Sequence, residues 1–416
     1  MKPKNLLYAQ SGGVTSVINT TAAGVIETAR ASNAIGKVFA GKNGISGILK
    51  EELIDTSHES DTQIKNLKYT PGGAFGSCRY KLKDPKTNPN EYLRLLEIFK
   101  AYNIGYFLYN GGGDSQDTTN KIANFTQKSG FTVQCIGIPK TVDNDLPHTD
   151  NCPGFGSVAK YTAISTREAA LDVKSMSDTS TKVFIMEVMG RHAGWIAASS
   201  SLASEDNDGP PHIILFPEKK LLQNKFLKKV KHTVLKEGYC VIVVSEGLRD
   251  FKGKFLSDSG KIDAFGHKQL GGVAPRIAEM VQTKLGYKCH WSVPDYLQRS
   301  ARHLSSQVDF DQAFAVGKAA VEFCLNGDSS VMPVIVRRKT KKYTWKIGKV
   351  KLSKVANIEK KLPSSYITKE GFNVTRKFRN YLEPLILGEA PLTFKDGLPI
   401  KANLKNKLVK KRLKIN

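Results

Sequence analysis

Short apolar runs rich in β-branched and aromatic residues recur along the chain, each running into a turn that carries Gly, Pro, Asp or Glu. Leu6–Ala9, Lys37–Ala40, Tyr106–Tyr109, Phe131–Ile138, Val183–Val188, His212–Phe216 and Tyr239–Val244 are too short for helices and read as strands. Between them Val17–Ala29, Glu91–Tyr102, Ser157–Ser175 and Asn224–Lys236 read as helices, and the segment from Asp114 through Ile122 opens another. Strands alternating with helices predict a doubly wound α/β fold with largely parallel sheets. Such sheets bind ligands beyond the carboxyl ends of their strands. Arg337–Lys354, where charges alternate with Val, Tyr, Trp and Ile, predicts a strand hairpin with its lysines on the wet face.

The chemistry is concentrated in three of those strand-end turns. After Ile138 come Pro139, Lys140, Thr141, Val142, Asp143, Asn144 and Asp145, a lysine, a hydroxyl and two carboxylates within six residues. A carboxylate there can take a proton from a hydroxyl as it attacks phosphorus, while Lys140 and Thr141 neutralise and hydrogen-bond the phosphoryl oxygens. The plain alternative is a solvated turn, since Pro, Asn and Asp are turn formers. Tyr109 runs into Asn110-Gly111-Gly112-Gly113-Asp114-Ser115, whose glycines let backbone N–H groups approach phosphate at a helix start. Ala9 leads to Ser11-Gly12-Gly13 and then Thr15-Ser16 before a helix. Three such loops at strand ends point together to phosphoryl transfer.

Their sequences resemble the phosphofructokinase family, specifically its pyrophosphate-dependent branch. The matches are SGGVTSVIN at the start, PGGAFGSCR at 71–79, GGGDS at 111–115, PKTVDND at 139–145, MEVMGRHAGW at 186–195, FPE at 216–218 and YLQR at 296–299, in the family's order over about 5–330. The resemblance implies two Rossmann-like three-layer lobes that face each other across a cleft. It also implies Mg²⁺-dependent, reversible transfer from pyrophosphate to the C1 hydroxyl of fructose 6-phosphate, in a homodimer or homotetramer. ATP-using members resemble GGDGS and PGTIDND. This chain instead has Asp114, which would repel the α-phosphate of ATP, and Lys140, a compact cation suited to a smaller and denser donor.

Carried over, the resemblance makes Asp143 the general base, with Thr141 on the transferring group and Val142 and Asp145 beside it. Met189, Gly190 and Arg191 would border the sugar phosphate, Glu218 would accept from sugar hydroxyls, and Tyr296 and Arg299 would hold the 6-phosphate. Gly12, Gly13, Arg79, Ser115 and Lys140 would surround pyrophosphate. Outside this context Arg79 is a surface cation, Met189 core filler, Glu187 and Arg191 a helical ion pair, Glu218 a partner of Lys219 or Lys220, and Tyr296 a packing residue.

The chain departs from the family pattern in places that matter. Many members carry at Gly113 an acidic residue that contacts magnesium; here Asp114 takes the metal assignment, with Asp117 the weaker candidate. Lys182 and His290 occupy positions where ATP-using bacterial members have arginines that reach the sugar phosphate across a subunit contact. An ATP-dependent enzyme and a non-catalytic binding homologue are the alternatives.

At 416 residues and 40% hydrophobic content the chain exceeds one core. The expected division is 1–150 for pyrophosphate and Mg²⁺, 151–330 for fructose 6-phosphate and 331–416 as a basic C-terminal extension, with the boundary near 145–155 and room for the chain to cross back. No apolar run approaches the roughly 20 residues of a membrane span, and no secretory signal is legible, so a cytoplasmic protein is expected. The six cysteines show no zinc spacing. Residues 331–416 hold 23 Lys+Arg against 5 Asp+Glu, so +18 of the chain's +25 lies there. That excess reads as a solvated basic tail, or as a surface for RNA, membrane or polyphosphate.

Overall fold

Consecutive residues of a strand face opposite ways, and β1 (Lys4–Gln10) shows the consequence. Leu6 and Tyr8 pack among Ala22, Val25 and Ile26 of the helix Ile18–Arg30 and Val316 and Ala320 of the helix Gln307–Leu325. Leu7 and Ala9 face the other way, against Ile45, Ile48, Leu95 and Phe99. Both faces of the sheet are therefore covered, which makes three layers. The computed structural model describes residues 3–205, 209–262 and 268–413.

By internal contacts the chain divides into two units, Met1–Gly154 with Gln307–Glu359 and Glu389–Asn416, and Phe155–Ser306 with Lys360–Gly388. The segment after 330, expected as a separate extension, is thus shared between both units. The first unit holds a seven-stranded sheet in the order Trp345–Lys351, Val331–Arg337, β5 (Gln134–Pro139), β4 (Ile104–Gly111), β1, β2 (Ile35–Gly41), β3 (Leu53–Asp55). The interior pairs are parallel and the two edge pairs antiparallel. The expected hairpin at Arg337–Lys354 is displaced: its first strand is the apolar Val331–Arg337, and only Trp345–Lys351 comes from the alternating run. Burial decides this, because Val331 to Ile335 lie buried beside β5 while the lysines of 338–344 close the turn.

The second unit has an all-parallel sheet in the order Cys289–Ser292, β6 (Val183–Val188), β8 (Cys240–Ser245), β7 (Ile213–Leu215). Ile185, Ile242 and Val244 pack on Phe226 and Ile277 on one side, and Val241 packs on Ala170 and Val173 on the other.

The C-terminal tail is no solvated appendage. Residues 401–413 run along β3, where Asp55 N–H donates to Lys407 O at 3.0 Å and Val409 N–H to Leu53 O at 2.8 Å. Glu59 accepts from the N–H groups of Lys405 and Asn406 at 3.0 and 2.8 Å. Glu51 accepts from Leu413 N–H, Arg412 N–H and the Tyr102 hydroxyl. These carboxylates, 1% and 4% exposed, satisfy backbone donors that burial would otherwise leave unpaired. The lysine heads of the strap remain in water. Among the described residues no helix is long and apolar enough to cross a membrane.

Candidate active site

In the first unit the parallel register aligns the carboxyl ends of three strands. Gln10 sits beside Asn110, and Gly111 beside Pro139. The loops that follow are tied to one another: Ser115 Oγ donates to Ser11 Oγ at 2.9 Å, Lys140 N–H to Gly111 O at 3.2 Å, and Lys140 Nζ to Gly13 O at 2.5 Å. Gly12 has φ +72°, and a Cβ there would lie 3.4 Å from Lys140 Nζ. The buried lysine therefore fills the floor beneath the Gly12-Gly13 turn. Gly12, Gly13, Ser115 and Lys140, expected around pyrophosphate, are brought together; Arg79 is exposed, just past Cys78, whose carbonyl accepts from Gly12 N–H at 2.9 Å.

The loop after Lys140 is held by its own side chains. Thr141 Oγ1 accepts from Asp143 N–H at 3.1 Å, and Asn144, at φ 53°, accepts from Cys152 N–H at 3.0 Å. Thr141 also bridges Gly154, whose N–H donates to Asp309 at 2.9 Å. Thr141 and Val142 are buried, whereas Asp143 and Asp145 are half-exposed. Asp114 does not stand alone: Lys81 Nζ lies 2.6 Å from its carboxylate. Asp117 is likewise paired, with Lys121 at 2.7 Å. The described residues contain no group of three or more His, Cys, Asp or Glu side chains arranged to hold a metal. The donor loops thus do not fit a metal held by protein carboxylates alone.

In the second unit the turn after β6 carries Met189, Gly190 and Arg191. Gly190 has φ +131°, and a Cβ would lie 2.7 Å from Ala193 O, so the turn closes only around glycine. Met189 N–H donates to Gln298 Oε1 at 3.1 Å, which anchors the YLQR segment to this turn. In that segment the Arg299 guanidinium stacks 3.9 Å over the Tyr296 ring. Gly190 N–H donates to Glu246 Oε1 at 3.2 Å. Burial raises the Glu246 carboxyl above its ordinary range, opposed by Gly190 N–H and Arg191 and assisted by Glu187 and Asp295.

Glu218 Oε1 accepts from Gly194 N–H at 2.9 Å and Leu362 N–H at 3.0 Å, which braces the loop after Arg191, while Oε2 is buried with no hydrogen-bond partner among the described residues. Glu187 accepts from Gly272 and Ala274 N–H at 3.1 and 2.8 Å, which removes the helical pair with Arg191. Glu246, half-buried and next to Arg191, joins this cluster, and the sequence reading missed it. Its signal was available, because Ser245-Glu246-Gly247 ends an apolar strand as the other site turns do. Lys182 precedes β6 and His290 pairs with Phe184, at the end of the sheet opposite Met189. Seven residues of strand at roughly 3.3 Å each put Lys182 about 23 Å from Met189. Lys182 and Arg191 of one chain thus flank opposite ends of β6.

The phosphofructokinase model matches residues 5–324, which covers every loop described above. The chain belongs to the phosphofructokinase family. Among its relatives, the pyrophosphate--fructose 6-phosphate 1-phosphotransferase of Xanthomonas campestris is 58% identical over 98% of both chains. The enzyme of that name from Methylococcus capsulatus is 55% identical over 99% of both. The crystal structure of a pyrophosphate-dependent phosphofructokinase from Marinobacter aquaeolei superposes with a TM-score of 0.91 at 57% identity, over 99% of this chain and 98% of that one. Family membership accounts for the placement of the Gly-rich loops, the PKTVDND loop and the MGR turn at strand ends.

Proposed function

We propose that this protein transfers a phosphoryl group reversibly from pyrophosphate to the C1 hydroxyl of fructose 6-phosphate, giving fructose 1,6-bisphosphate and phosphate. The observation that carries the donor assignment is the buried Lys140 ammonium on Gly13 O, with Asp114 at the start of the neighbouring helix. An ammonium there meets a compact, densely charged donor, and the carboxylate opposes the longer phosphate chain of a nucleotide. The relatives' names point the same way.

In this reading Asp143 accepts the C1 hydroxyl proton as that oxygen attacks phosphorus, the bridging P–O bond of pyrophosphate breaks, and phosphate leaves. Thr141 and Lys140 bind the transferring oxygens as their charge redistributes. Glu246, Arg191, Tyr296 and Arg299 hold the sugar phosphate, and Arg191 offers a planar fork to its oxygens. Mg²⁺, where bound, would neutralise phosphate oxygens of the donor, as it commonly does with phosphate substrates.

The deciding assay follows fructose 1,6-bisphosphate formation from fructose 6-phosphate and Mg²⁺ with pyrophosphate or ATP as sole donor. Turnover is expected with pyrophosphate and not with ATP. The pair Asp114→Gly with Lys140→Gly is expected to lower pyrophosphate turnover by about 10²-fold, the scale of lost transition-state contacts. Unchanged use of both donors in that variant would remove the donor argument.

A further inference from the structure

Lys81 belongs to none of the family motifs, yet it makes an ion pair within the donor loops. Its ammonium lies 2.6 Å from Asp114 Oδ1, with the two side chains 41% and 29% exposed. Asp114 is the second residue of the helix Gly113–Lys128, which begins at Gly112 with no side-chain cap. A half-exposed ion pair contributes at most about 1 kcal/mol to stability, so folding alone gives little reason for it.

We propose that Lys81 binds the non-transferred phosphate of pyrophosphate while it screens Asp114; the inference rests on the donor reading above. An unscreened carboxylate at 114 would repel pyrophosphate as strongly as it opposes ATP. With Lys81 in place the local charge is cancelled, and an ammonium has three donors, of which Asp114 engages one direction. Lys140, on Gly13 O, supplies the second ammonium of the same loop cluster. A Cβ on Gly113 would meet nothing within 4 Å, so the position between Asp114 and the glycine turn is open to a ligand. Discrimination and binding are thereby divided: the Asp114 side chain fills the place that the longer phosphate chain of a nucleotide would need, and Lys81 restores affinity for the smaller anion.

Calorimetric titration with methylenediphosphonate, a non-hydrolysable analogue of pyrophosphate, at fixed Mg²⁺ tests this. Lys81→Gln is expected to weaken binding about 10- to 100-fold, the range of a lost charge-assisted hydrogen bond. Lys81→Arg should keep most of the affinity, and KM for fructose 6-phosphate should stay within about twofold in both. Placing Lys81→Gln on an Asp114→Asn background separates contact from screening. A further loss of about tenfold supports direct contact with the phosphate. No further loss means that Lys81 acts only through Asp114, and the proposal falls. Unchanged analogue affinity in Lys81→Gln, with pyrophosphate turnover present in the unmodified enzyme, overturns the Lys81 assignment alone. Absence of pyrophosphate turnover and analogue binding in the unmodified enzyme overturns both readings.

Discussion

At the scale of single residues the proposed chemistry rests on Asp143. Its N–H is spent on Thr141 Oγ1, which fixes the local turn, and its half-exposed carboxylate is the proposed general base. Asp143→Asn keeps that shape and removes the base. Its kcat is expected to drop by about 10²–10⁴ with little change in KM for fructose 6-phosphate. A loss under tenfold would end the general-base assignment. Glu218 teaches the complementary lesson: in FPE it has the type of a sugar acceptor, and in the fold two backbone N–H groups occupy its Oε1 while Oε2 has no hydrogen-bond partner among the described residues. Residue type is legible in a sequence, whereas prior engagement of its lone pairs is not.

At the scale of elements, the C-terminal strap is the part most at odds with its composition. Its cations suggest a tail kept in water, yet its backbone completes the edge of β3 and lies on Glu51 and Glu59. Burial works against the charged form of Glu51, but Arg412 N–H, the Tyr102 hydroxyl, Leu413 N–H and Arg94 outweigh it and hold its pKa below the ordinary value. A depressed carboxyl pKa stabilises the fold above its unfolded value, and that contribution is lost as pH falls through the folded value. Acidification below about pH 4.3 is therefore expected to release the end of the strap first. Hydrogen exchange in Glu51→Gln should accelerate at Arg412 and Leu413 while Lys405 and Asn406, on Glu59, keep their protection. Equal acceleration along the whole strap would contradict two separate anchors.

For the whole molecule, the position of Lys182 and His290 bears on assembly. They lie at the end of the second sheet away from Met189 and Arg191, and Trp291, next to His290, is 48% exposed. If the two cations serve a sugar phosphate, a second copy would supply them. Lys182→Ala and Arg191→Ala, each impaired, should complement when their chains are mixed as hybrids, restoring about a quarter of the sites of a symmetric dimer. Hybrids with no recovered activity would confine the site to one chain.

The family and the donor loops were legible because they are local: a strand, a glycine turn and a helix start are contiguous, so GGGDS and PKTVDND carry their geometry within a few residues. The alternation of strand-like and helix-like segments likewise pointed to a doubly wound α/β fold, whereas the two three-layer units came from the family resemblance. Tertiary structure alone decided which charges were already committed. Lys81 on Asp114, Glu187 under the helix at Gly272, Glu218 beneath Gly194 and Glu51 under the strap all join residues far apart in the chain. An ion pair or hydrogen bond depends on distances of a few ångströms, and sequence separation says nothing about those until the sheets have brought distant loops together.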